Sequence, residues 1–169
     1  MVSIPRKVAD ARRSVLFPTA ISDAFVFIPD SGYNTRDTLL NGLGYWLKFG
    51  WDFTTNIVGD SILADTIVVV AGWNLIGSIS SPIVTDSIVS IPPAITTSNF
   101  FGFDGGYNVA SNIVPGSGYW VKSSQDGKLI LSSVAVTMRA ADSIKIIPTS
   151  DLPPQRSDEI DSERNRVPK

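Results

Sequence analysis

Apolar residues in this chain come in short bursts, each a handful of β-branched or aromatic positions closed off by Gly, Pro, Asn or Asp. That is the pattern of short, half-buried strands. It predicts strands at about 24–28, 43–49, 53–58, 65–71, 73–80, 99–103, 117–123, 127–132 and 143–147. Helical spacing occurs in one place, Arg6 to Leu16, where Val8, Ala11 and Val15 recur at intervals of three and four. The matching stretch further on, "SPIVTDSIVS", carries a proline and β-branched residues, so any helix is expected to be short and not shared. From Pro148 the alternation stops. "PTSDLPPQRSDEIDSERNRVPK" has too little apolar surface to offset the entropy of ordering and reads as a flexible linker or tail.

The chain also repeats itself. "GLGYWLKF" (Gly42 to Phe49) and "GSGYWVKS" (Gly116 to Ser123) stand 74 positions apart, and the same offset lays "FPTAISDAFVFIPDSGYN" over "IPPAITTSNFFGFDGGYN" without a gap. Pro18 then matches Pro92, Ala20 Ala94, Ile21 Ile95, Phe27 Phe101, Asp30 Asp104, Gly32 Gly106, Tyr33 Tyr107 and Asn34 Asn108. Identities at turn and aromatic positions are the signature of a duplicated supersecondary unit. The expected fold is therefore all-β: two duplicated β-sandwich-like lobes followed by a disordered C-terminal tail. The boundaries are 1–71 for the first repeat with its connecting strands, 72–147 for the second and 148–169 for the tail. The second copy opens with "AGWNLIGSI" while the first opens abruptly at Met1, so the chain is expected to be a piece of a longer protein.

Gly32 and Gly106 are expected to supply a positive φ in the "D-[SG]-G-Y-N" turn, with Asp30 and Asp104 bonding to nearby backbone amides. In "G-x-G-Y-W" the glycines mark a turn or bulge entering a strand, after which Tyr and Trp point to opposite faces. One ring of each pair should enter a core, and the other should point outward or across to a neighbouring strand.

Composition narrows the chemistry. The 169 residues include no His and no Cys, which removes the usual general base, the Ser-His dyad, thiolate nucleophiles, disulfides and zinc-thiolate sites. No "G-x-S-x-G" elbow and no phosphate loop is present, and Asp30, Asp37, Asp52, Asp60 and Asp65 have no spacing that requires them to converge. The expectation is a non-enzyme without a cofactor. A formal net charge of −2 gives no electrostatic reason to bind nucleic acid. No apolar run reaches membrane-spanning length, and the N-terminus has no signal-peptide pattern. Ca²⁺ is the one metal the side chains suit, through Asp30 with Asn34 or Asp104 with Asn108, against the simpler reading of Asx-type turns. The aromatics remain as candidates for a sugar-stacking platform: Tyr45, Trp46, Tyr119, Trp120, Tyr33 and Tyr107 above all, with Trp51 and Trp73. The competing reading makes them pillars of the two lobes, and their recurrence beside structural glycines favours it.

"GWNLIGSIS" (Gly72 to Ser80) and "GYWVK" (Gly118 to Lys122), with "FFGFDGGYN" between them, resemble a β-rich module of large secreted proteins in the Bacteroidetes–Ignavibacteria group. In those proteins, exported by the type IX route, the module lies ahead of a proline-rich linker and a C-terminal sorting domain. The resemblance covers nearly the whole chain, though the first copy lacks its Trp-Asn opening. It implies an extracellular or cell-surface location and a non-catalytic accessory role, with other domains of a parent protein as partners. Three functions are expected in this order: a structural or interaction module, a carbohydrate-binding module using exposed Trp and Tyr, and a subunit that self-associates into a surface fibre or layer through strand edges.

Overall fold

The alternating pattern becomes a series of short antiparallel strands in the computed structural model, which describes residues 1–52 and 54–134. The expected strand at 143–147 and the tail at 148–169 lie outside the described residues. In chain order the elements are β1 (Val2–Ser3), β2 (Arg6–Lys7), a helical turn α1 (Arg13–Leu16), β3 (Ala24–Ile28), β4 (Gly32–Arg36), β5 (Gly44–Tyr45), β6 (Asp60–Ser61) and β7 (Ala64–Val69). There follow β8 (Gly72–Ile76), β9 (Ile83–Val84), a 3₁₀ turn at Thr85–Ser87, β10 (Val89–Ile91), β11 (Phe100–Phe103), β12 (Tyr107–Ala110), β13 (Asn112–Ile113), β14 (Tyr119–Ser123) and β15 (Gly127–Ser132). The all-β expectation holds.

Lobe two is the fuller of the two. A four-stranded sheet in the order β12-β11-β14-β8 faces a three-stranded sheet β10-β15-β7, and every pairing is antiparallel. Ile67 and Val69 of β7 and Leu129 and Leu131 of β15 point inward onto Ile76, Ile79, Ile88 and Val121, while Thr66 and Val68 face out. Each such aliphatic side chain contributes about 1.5–3 kcal/mol when fully buried. β7 precedes residue 72 in sequence, yet its ladder partner is β15 and its inward residues belong to this core.

Lobe one is built on the β3–β4 hairpin, β1 against β5, and β2 against β6, around Ile4, Leu16, Phe17, Val26, Leu39 and Tyr45. The strand expected over 43–49 is reduced to β5, continued by single bridges from Trp46 to Phe25 and from Phe49 to Ala20. The strand expected over 53–58 is not formed in its described part, 54–58, which has no ladder partner among the described residues.

The bonding register shows how the copies correspond. The 74-residue offset holds for the β1–β5 pair Val2↔Tyr45 against Ile76↔Tyr119, and for Tyr33 against Tyr107. Upstream of the hairpin turn the offset becomes 76: Ala20↔Phe49 corresponds to Thr96↔Ser123, and Phe25↔Trp46 to Phe101↔Trp120. Lys48 N–H donates to Ser22 Oγ as Lys122 N–H donates to Ser98 Oγ, each at 2.9 Å. The gapless pairing of Pro18, Ala20, Ile21 and Phe27 with Pro92, Ala94, Ile95 and Phe101 is thus corrected by two residues, and Phe27 matches Phe103. The first hairpin simply has the longer turn, since Phe27 faces Tyr33 whereas Phe103 faces Tyr107.

The turns differ accordingly. Asp30 and Gly32 take positive φ in the first and Gly105 in the second; Gly106 does not. Asn side chains, rather than Asp30 and Asp104, brace both turns: Asn34 Nδ2 donates to Gly32 O at 3.2 Å and Asn108 Nδ2 to Gly106 O at 2.9 Å. The helical turn is also shared after all, as α1 in lobe one and as the 3₁₀ turn in lobe two. Arg13 N–H bonds Asp37 O as Thr85 N–H bonds Ser111 O.

Buried hydroxyls tie each lobe's loop to its core. Leu40 N–H donates to Tyr45 Oη at 2.8 Å, and Val114 N–H donates to Tyr119 Oη at 2.9 Å. Removing either hydroxyl leaves a backbone N–H without its partner, a loss of about 1–3 kcal/mol. Tyr119→Phe is expected to lower stability by that amount with the fold intact, read as a reduced urea midpoint at unchanged slope.

Candidate functional site

Strand alternation sends the tyrosine and the tryptophan of each "GYW" to opposite faces. Tyr45 and Tyr119 enter their own lobe's core; Trp46 and Trp120 point across, into a seam between the lobes. There each tryptophan meets the other copy's phenylalanine. Trp46 packs on Phe103 with ring centroids 4.7 Å apart at 70°, and Trp120 packs on Phe27 at 4.9 Å and 71°. Tyr33 and Tyr107 brace the two phenylalanines from behind, at 5.5 Å and 5.4 Å. Edge-to-face pairs of this kind add about 0.5–1.5 kcal/mol each beyond the area they bury.

The backbone makes the same exchange. Ser3 N–H donates to Gly116 O at 2.8 Å, and its counterpart Gly77 N–H donates to Gly42 O at 2.9 Å. The bridges Val2↔Ser117 and Leu43↔Ile76 are likewise counterparts. Equivalent groups trading places define a pseudo-twofold relation, the single-chain form of an isologous dimer interface. Near its axis the chains approach so closely that only glycine fits: a Cβ at Gly44 would lie 2.7 Å from Ile76 O, and one at Gly118 would lie 3.2 Å from Gly44 Cα. The buried hydroxyls of Ser3 and Ser78, 2.8 Å apart, satisfy Ser117 O and Gly116 N–H across the seam.

These positions decide the fate of the aromatic candidates. A sugar ring needs an open aromatic face, and Tyr45, Trp46, Tyr119 and Trp120 have none, being at most 6% exposed. Tyr33 and Tyr107 are half-buried and engaged edge-on with Phe27 and Phe103. These rings lie where the favoured reading puts them, as pillars, and the pillars are shared between the lobes. Trp73 is half-buried against Phe101 and Trp120, with Lys122 Nζ 5.9 Å from its ring centroid. Trp51 alone among the tryptophans is exposed, at 69%. Phe27 and Phe103, which the sequence did not single out, carry the seam as much as the tryptophans do. The signal for them lay in the two-residue difference in turn length, visible only once the ladders are known.

Two clefts flank the seam at pseudo-equivalent places. One, of about 320 Å³, is lined mainly by aliphatic residues including Leu40, Leu43 and Val68, with Arg36 at its margin. The other, of about 240 Å³, has Asp104, Asn108 and Ser117 in its wall. Among the described residues no three acidic side chains come together, and Asp30 and Asp104 belong to no such group. The clearest carboxylate perturbation is remote from the seam: hydrogen bonds from Arg12 hold Asp10 down at about 2. The Nε1 groups of Trp46 and Trp120 have no hydrogen-bond partner among the described residues, so the seam accepts two unpaired indole donors in return for ring packing.

No family model, no curated protein and no solved structure matches the chain.

Truncating a seam tryptophan should cost about 3–5 kcal/mol, the usual loss for a large buried aromatic. Trp46→Ala and Trp120→Ala are expected to show this in urea unfolding, whereas Trp51→Ala should stay within about 0.5 kcal/mol of the parent.

Burial pushes the Tyr45 hydroxyl above the ordinary tyrosine range. A group whose folded-state pKa is raised stabilises fully below its unfolded value of about 10, and that contribution is lost as pH rises through the folded value. The alkaline fall in stability above about pH 10 should accordingly be shallower in Tyr45→Phe than in the parent, measured as unfolding free energy against pH.

Proposed function

We propose that this chain is a non-catalytic structural or interaction module within a larger secreted or cell-surface protein. One observation carries the reading: the repeated Gly-aromatic phrase is spent on joining two lobes through reciprocal Trp-on-Phe contacts. A duplicated unit whose most distinctive side chains are internal suits a spacer or platform whose outward loops and edges meet neighbouring domains. The location rests on the resemblance of "GWNLIGSIS" and "GYWVK" to modules of type IX secretion cargo. Among the described residues no helix is long and apolar enough to cross a membrane.

Carbohydrate binding keeps one supporting observation, the exposed indole of Trp51. A pull-down of the full chain on chitin, cellulose, xylan and peptidoglycan, with free sugar as competitor, separates the two readings. The structural reading expects no competable retention. Retention that free sugar competes and Trp51→Ala abolishes would replace it with a targeting role.

A further inference from the structure

Among the described residues, lobe two has a ladder that lobe one lacks. In lobe two β15 lies between β10 and β7. The matching stretch in lobe one, at the 74-residue offset, is 53–58, and its described residues already hold strand-like alternation: Thr55 and Ile57 are half-buried, while Thr54, Asn56 and Val58 are exposed. Thr55 Oγ1 donates to Leu16 O at 3.2 Å, and Ile57 packs on the lobe-one core, as Leu129 and Leu131 pack in lobe two. Yet among the described residues no backbone hydrogen bond joins 54–58 to a neighbour. The side chains are seated and the ladder is missing. An extended segment whose N–H and C=O groups have no partner among the described residues is a template for another strand.

The strand that fills this place in lobe two has the sequence Ala64-Asp65-Thr66-Ile67-Val68-Val69, followed by Val70. The chain contains that phrase a second time, 77 residues on, as Ala141-Asp142-Ser143-Ile144-Lys145-Ile146-Ile147. Ala, Asp and Ile recur unchanged, Thr is replaced by Ser, and two Val by Ile. The one change of character, Val68 to Lys145, falls where β7 faces solvent, since Val68 is 70% exposed. The inward pair Ile67 and Val69 is matched by Ile144 and Ile146. Residues 141–147 lie outside the described residues, so the second copy of the phrase has a known sequence and an open place that fits it.

We propose that residues 141–147 dock as an antiparallel strand on 54–58 of the same chain, occupying on lobe one the place that β7 occupies on lobe two. The chain leaves lobe two at the right point. Ser133 N–H donates to Leu63 O at 2.9 Å, and Leu63 lies just beyond β6, which pairs with β2 of lobe one. From Val58 to Leu63 the chain spans at most about 18 Å, while the seven residue steps from Val134 to Ala141 can reach about 25 Å. Tethering favours the intrachain site over a second copy, because a short linker holds the strand at an effective concentration in the millimolar range.

The register follows from β7 on β15. Val68 opposes Lys128 there, so Lys145 opposes Thr54. Ser133 N–H bonding to Leu63 O makes 63/133 a hydrogen-bonded pair. Alternation then makes 68/128 a non-hydrogen-bonded pair, whose close Cα atoms suit a cross-strand disulfide. The chain has no cysteine of its own, so Thr54→Cys/Lys145→Cys in the full chain, oxidised at low protein concentration, reads the contact directly. Val84→Cys/Lys145→Cys, with its partner at the exposed Val84 position of β9 in lobe two, is the control.

The expected result is an intrachain disulfide in the first variant forming at least ~10-fold faster than in the control, as effective concentration at a built site requires. Hydrogen exchange on the cysteine-free chain should show protected amides across 54–58 that lose protection in Ile144→Asp/Ile146→Asp. Disulfides only between chains would assign the place to a second copy and overturn the intrachain proposal. Equal rates in the two cysteine variants, or exchange at 54–58 that is fast and unchanged by the aspartates, would overturn it as well.

Discussion

The reciprocal packing of Trp46 on Phe103 and Trp120 on Phe27 is the contact on which the rest of this molecule depends. Each lobe is small, and small units bury a smaller share of their surface and gain correspondingly little stability on their own. By placing its tryptophan on the partner's hairpin, each lobe buries the outer face of its central strand without needing a third layer. The arrangement also fixes the geometry at the axis. Gly44 and Gly118 must approach to within van der Waals reach for the ring pairs to meet, and the Ser3 and Ser78 hydroxyls must then satisfy the backbone groups that the approach removes from water.

Duplication explains how one aromatic phrase serves two purposes at once. Tyr and Trp are adjacent, so a strand sends them to opposite faces, and the same dipeptide supplies an internal anchor and an inter-lobe anchor in each copy. The tyrosine hydroxyl is bonded to a loop amide five residues upstream in both lobes, which ties the loop to the core. Among the described residues neither buried indole N–H has a hydrogen-bond partner, and both tryptophans lie in the aromatic cluster between the lobes.

The two copies are not equal, and the inequality lies in the second sheet. Lobe two closes its core with β7, β15 and β10. Lobe one has the half-buried residues Thr55 and Ile57 in place, with no ladder on them among the described residues. Repeat proteins commonly complete one unit with an element from beside it, because each unit buries its apolar face only against a neighbour.

What the sequence determined by itself was local and periodic. Short runs closed by turn residues specify antiparallel strands, and the all-β class follows from that pattern alone. The repeated "GYW" specifies two lobes, because identical local signals fold alike. Tertiary structure decided three further matters. The true correspondence of Phe27 with Phe103 depends on a turn that is longer in one copy, and a gapless comparison is blind to it because both phenylalanines sit among other aromatics. Which face of each strand meets solvent was open, since alternation separates Tyr45 from Trp46 without saying that a second lobe covers the outer one. That 54–58 has no ladder partner among the described residues was likewise not written locally: strand formation needs a partner's backbone, and whether one lies alongside is a property of the assembled fold.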